Sequence, residues 1–171
     1  MKNKGFSLVE LIIVVAIMGI LIGVLAPSMI KYVNRTKVAA DVQICDGIRE
    51  AIVLSMNDPE VLTANDGSIE QINKLTSGGS SNQLEMVFRN EPETAFTRNV
   101  KETLGYDVFT KTTYQSMLKT DNAKSGGIIE CQMYEGKMWV WICFSDMSGK
   151  NQNIMCTRAS DVVSKGVIYA N

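Results

Sequence analysis

The sequence predicts an α+β fold in which a long N-terminal α-helical spine, membrane-spanning over its first half, packs against a small antiparallel β-sheet head. Three observations carry this. Leu11 to Ile30 is a run of 20 residues without a charge, long enough, at about 1.5 Å per helical residue, to cross a hydrocarbon core of roughly 30 Å. Beyond it, Val38, Val42, Cys45, Ile48, Ile52 and Met56 step by three and four residues, the stripe of an amphipathic helix. Late in the chain, Ile128 to Tyr134 and Lys137 to Ser145 flank Glu135-Gly136, two strand-like runs around a tight turn.

The apolar run is too long for the 7–15 residues of an ordinary signal peptide, and the faint cut site Val24-Leu25-Ala26 is followed at once by Pro27. Lys2 and Lys4 place Met1 on the cytoplasmic side, while Lys31, Arg35 and Lys37 on the far side pull the other way. An uncut signal anchor is the plain alternative. Glu10 argues against plainness. A carboxylate at the edge of such a run is costly unless it reaches the headgroups or finds a partner.

Gly5-Phe6-Ser7-Leu8-Val9-Glu10 resembles the cleavage and methylation signature of the type IV prepilin family. The resemblance covers about residues 1–35. It implies that a prepilin peptidase cuts between Gly5 and Phe6, that Phe6 becomes an N-methylated terminus, and that Glu10 pairs with the terminal amine of Phe6 in a neighbouring subunit. Two groups that are each expensive in an apolar bundle neutralise one another only in the correct stagger, so Glu10 is expected to set register. The family's filaments are often partly unwound between a glycine and a proline placed like Gly19 and Pro27. A gentle kink without loss of helix is the alternative. The expected organisation is a leader at 1–5, an assembly half of the spine at 6–30, and an amphipathic half at 31–58. A variable region at 59–127 and a sheet with a C-terminal segment at 128–171 complete it.

Asp41, Asp46, Arg49 and Glu50 are expected largely off the apolar stripe, and Cys45 on it is expected to be core. Asn57-Asp58-Pro59 stops the helix. Ser68 with Gln71 has capping-box spacing and opens a short helix fading before Gly78-Gly79. Leu84 to Phe88 reads as a strand, and Thr94 to Leu104, followed by Gly105, as a second short helix. A third strand is expected at Gln152 to Thr157 and a last edge strand at Gly166 to Tyr169. If Ser148 to Asn151 closes a hairpin, Cys143 falls opposite Cys156, within disulfide range, as in the C-terminal disulfides that many pilins carry; free thiols are the alternative. Trp139 and Trp141 share one strand face. Cover by a loop or neighbour is expected there in preference to a ligand platform.

Composition narrows the function classes. There is no histidine, no C-x-x-C pair, no Gly-rich phosphate loop and no basic field, with 17 Lys+Arg against 18 Asp+Glu. No enzyme activity, metal, cofactor or nucleic-acid site is expected. The resemblance implies a structural pilus subunit, inserted in the cytoplasmic membrane with its head outside and then displayed at the cell surface. Its implied partners are its own copies in a helical filament, the prepilin peptidase, and the pilus assembly platform with its ATPase. The alternative is a pseudopilin of a type II secretion or DNA-uptake apparatus. Major secretion pseudopilins close their heads with clustered acidic residues that bind calcium, whereas Asp146 and Asp161 stand isolated here.

Overall fold

The computed structural model describes residues 7–77, 82–134, 136–145 and 151–155. Seven helices and four strands follow in the order α1 (Leu8–Met56), α2 (Pro59–Thr63), α3 (Ser68–Thr76), β1 (Asn82–Gln83), α4 (Leu84–Phe88), α5 (Ala95–Leu104), α6 (Lys111–Met117), α7 (Asp121–Gly126), β2 (Ile128–Tyr134), β3 (Lys137–Ser145) and β4 (Asn151–Met155). The chain divides into two compact units, Met1–Thr36 and Lys37–Asn171. The fold class is the α+β one predicted.

In the first unit, α1 exposes every side chain from Leu8 to Val33. By length and composition this helix is able to cross a membrane. Pro27 lies inside it, and the helix is unbroken between Gly19 and Pro27.

In the second unit, the later turns of α1 bury Asp41, Cys45, Ile48, Ala51, Ile52 and Ser55. The buried face is rotated from the predicted stripe, because Val38, Val42 and Met56 are only partly covered. Asp41 corrects the expectation that it lies off the stripe. It is fully buried, and its carboxylate accepts the backbone N–H groups of Lys119 (2.6 Å) and Thr120 (2.9 Å). One turn earlier, Lys37 pairs with Asp121 at 3.0 Å.

The helix ends at Met56, just before the Asn57-Asp58-Pro59 stop, but Asp58-Pro59 also starts α2. The Asp58 carboxylate caps the Glu60 N–H at 2.8 Å, and Pro59 sits at the first position, where its missing donor costs nothing. The expected capping box at Ser68 and Gln71 does not form. Gly67, at φ +93°, is the residue before α3, and the Asp66 carboxylate takes over the capping. It accepts from the Ser68 N–H (3.0 Å) and hydroxyl (2.6 Å), and from the Ala95 N–H that starts α5. One exposed side chain thus holds two helix starts. The Gln71 amide is free to bond the Pro92 carbonyl and the Thr94 hydroxyl.

These donors, the Ser68 hydroxyl foremost and the Ala95 N–H next, hold the Asp66 carboxyl below its usual pKa of 3.8. The folded state therefore favours the ionised form. That contribution is complete above the ordinary pKa and disappears as pH falls through the lower folded value. Thermal melts of the full chain in detergent are expected to lose Tm between about pH 5 and pH 2, and Asp66→Asn to lose less over the same interval. Parallel curves for the two proteins would contradict this.

Leu84–Phe88 is a helix, correcting the expected strand. A strand puts Leu84, Met86 and Phe88 on one face, but Met86 is 65 % exposed while Leu84 and Phe88, one helical turn apart, are buried. Glu85 and Arg89 add an i,i+4 ion pair at 2.7 Å. The second predicted helix appears as α5, with Thr94 and Thr97 forming a reciprocal capping box and Gly105 ending it at φ +74°.

The sheet is antiparallel in the order β1-β2-β3-β4. Tyr134 faces Lys137 across the two-residue turn, where Gly136 takes φ +74°. Ile129, Cys131, Val140 and Ile142 turn one face into a common core with Cys45, Ile48 and Ile52 of α1 and with Phe96, Tyr114 and Leu118. Ser145 pairs with Asn151, so Cys143 faces Asn153. This corrects the predicted register, in which Cys143 faced Cys156; the register is shifted by three residues, and Asn151, assigned to the loop, pairs in the strand. Cys156 and the edge strand expected at Gly166 to Tyr169 lie outside the described residues.

Candidate functional site

The candidate site is the start of α1. Ser7 precedes the first helical residue and its carbonyl accepts the Leu11 N–H at 3.2 Å. Glu10 stands in the first turn, exposed, and its carboxylate accepts the Ser7 N–H at 2.9 Å. Ser7-x-x-Glu10 is therefore half of a capping box as well as part of the signature, a signal present in the sequence that the processing motif overshadows. A carboxylate here also faces the positive end of the helix dipole. In the single chain Glu10 thus has a local partner in water. Gly5 and Phe6, the expected cut and methylation residues, lie outside the described residues.

From Leu8 to Val33 the helix presents Leu, Ile, Val and Met side chains on all sides, each 44 % exposed or more. Gly19 and Gly23 have open space where a Cβ would stand. Covering such a surface with lipid or protein is favourable, because it removes apolar area from water.

Among the described residues no group of three or more His, Cys, Asp or Glu side chains is placed to hold a metal ion. Cys131 is fully buried, and burial, with Glu130 beside it, pushes its thiol up to about 12. Burial also raises the Cys143 thiol. Thiols held protonated are poor nucleophiles, so both read as packing residues. Trp141 Nε1–H donates to Glu130 Oε2 at 3.0 Å and Trp139 is 8 % exposed, which leaves no open aromatic platform at these two residues.

A helix of membrane-spanning length, capped by a carboxylate and joined to a small α+β head, defines the class of chain. Comparison with known proteins adds what the chain is similar to. Residues 1–26 match the family model for the prokaryotic N-terminal methylation motif. The chain is 37 % identical over 76 residues to a type IV major fimbrial protein FimA of Dichelobacter nodosus, a segment covering 44 % of this chain and 48 % of that protein. It is 42 % identical over 58 residues to a fimbrial protein of the same species, covering 34 % and 36 % respectively. The chain thus spans about half the length, or less, of the curated relatives it matches. No solved structure matches it. The likeness to type IV fimbrial subunits rests on the motif over residues 1–26 and on these partial matches.

Proposed function

We propose that this chain is the structural subunit of a type IV pilus, cut by prepilin peptidase between Gly5 and Phe6, methylated at Phe6, and polymerised through α1. The observation that carries the reading is the methylation motif over residues 1–26, which runs into a helix whose apolar surface is bare on all sides. Before assembly, lipid covers that surface; in a filament, neighbouring copies do. Relatives that match 76 residues of the chain are named as major fimbrial subunits, which favours a pilus over a pseudopilus. The role is structural, and the subunit moves from the cytoplasmic membrane to the cell surface. Assembly requires a platform and an ATPase to extract the helix from lipid.

The test is immunogold electron microscopy of cells that express the chain, with an antibody to the head. Labelled filaments along their whole length are expected. Label confined to the cell envelope, with no filaments, would contradict the proposal.

A further inference from the structure

The groove between the later turns of α1 and α5 has a volume of about 660 Å³ and is lined by Ala51, Val53, Leu54 and Leu104, with Arg49 in its wall. Leu54 is 60 % exposed. The Arg49 side chain is only 11 % exposed, and among the described residues its guanidinium donates to the exposed Glu50 carboxylate, 3.4 Å from Nη2. Its Nε–H is buried and has no acceptor among the described residues. A guanidinium in this position costs free energy until something brings it an oxygen.

The other end of the same helix has the converse defect. Pro27 carries no N–H, so the Gly23 carbonyl, four residues earlier, lacks its helical donor. The nearby Ser28 hydroxyl donates elsewhere, to the Leu25 carbonyl at 2.8 Å. Gly23 is exposed with open space at its Cβ position, so its backbone is accessible to another chain. Leu21, Ile22 and Leu25 around it are exposed apolar side chains. In water this carbonyl is hydrated; inside an apolar assembly it must find a donor.

We infer that the α1/α5 groove receives the Gly19–Pro27 stretch of a second copy of this chain, with Arg49 donating to the Gly23 carbonyl. The apolar lining covers the leucine and isoleucine side chains, and an unmet donor meets an unmet acceptor. The two positions are 26 residues apart, so the contact is heterologous, joining different surfaces of the two copies, and it propagates a filament instead of closing a dimer. The inference rests on the filament reading above.

The test uses full-length chains assembled into filaments. A benzophenone amino acid at Leu54, irradiated in filaments, is expected to form a dimeric adduct whose peptide contains residues 19–27. In parallel, Arg49→Met is expected to lower filament yield about tenfold, the scale of one charge-assisted hydrogen bond per contact. In a Pro27→Ala background, where Gly23 regains its helical donor, the same change is expected to cost less than about twofold. A purely structural role for Arg49 predicts equal losses in both backgrounds, which would overturn the contact. So would an adduct to any other segment or protein, or wild-type filaments that give no adduct. If unsubstituted chains keep Met1 and make no filaments, the filament reading fails and this contact with it.

Discussion

Replacing Asp41 by alanine is expected to destabilise the head by about 3–5 kcal/mol, the range for breaking a buried, hydrogen-bonded charge. The carboxylate is fully buried and holds the N–H groups of Lys119 and Thr120 at 2.6 and 2.9 Å. Each is a charge-assisted bond of roughly 1.5–3 kcal/mol, and alanine removes both acceptors while leaving a void. The loss falls where the loop before α7 meets α1, a junction otherwise held by the Lys37–Asp121 pair. That pair is largely exposed and worth at most about 1 kcal/mol. Asp41→Asn keeps one acceptor oxygen and is expected to cost less than alanine. Urea unfolding of detergent-solubilised chains measures both. A midpoint for Asp41→Ala equal to wild type would show that the clamp contributes nothing.

The second large effect concerns assembly and leaves the head untouched. Glu10→Gln is expected to reduce filament yield at least a hundredfold, because breaking one partner of a buried ion pair costs about 3–5 kcal/mol. Head stability is expected to stay at the wild-type value, since among the described residues Glu10 is bonded within the chain by the Ser7 N–H alone. Glutamine retains an acceptor for that cap, so the substitution separates capping from charge pairing. Normal filament yield would sink the register role of Glu10.

What was legible in the sequence follows the strength of local signals. The apolar run, the methylation motif, the Thr94–Gly105 helix with its cap and stop, and the β2–β3 hairpin are each written in consecutive residues. Four misreadings share a cause, which is that a distant partner decided the outcome. Asp41 looked solvent-facing because its partners, Lys119 and Thr120, are 78 and 79 residues away. Ser68 looked like a cap because Asp66 lay outside the motif, yet Asp66 also serves Ala95. Leu84–Phe88 carries strand-forming residues, and its helical state was set by burying Leu84 and Phe88 against the rest of the head. The β3–β4 register depended on a loop length that the polar composition of the segment did not define. The candidate site shows the opposite case. Ser7-x-x-Glu10 was readable as a cap from four residues, and the processing signature drew the reading away from it.

The central claim is that residues 1–26 are a processing and assembly segment and that the helix it runs into builds a filament. Mass spectrometry of the chain recovered from the cell surface tests it most directly. The account predicts a protein beginning at Phe6, heavier by one methyl group on its terminal amine. A surface protein that still begins at Met1 would contradict it.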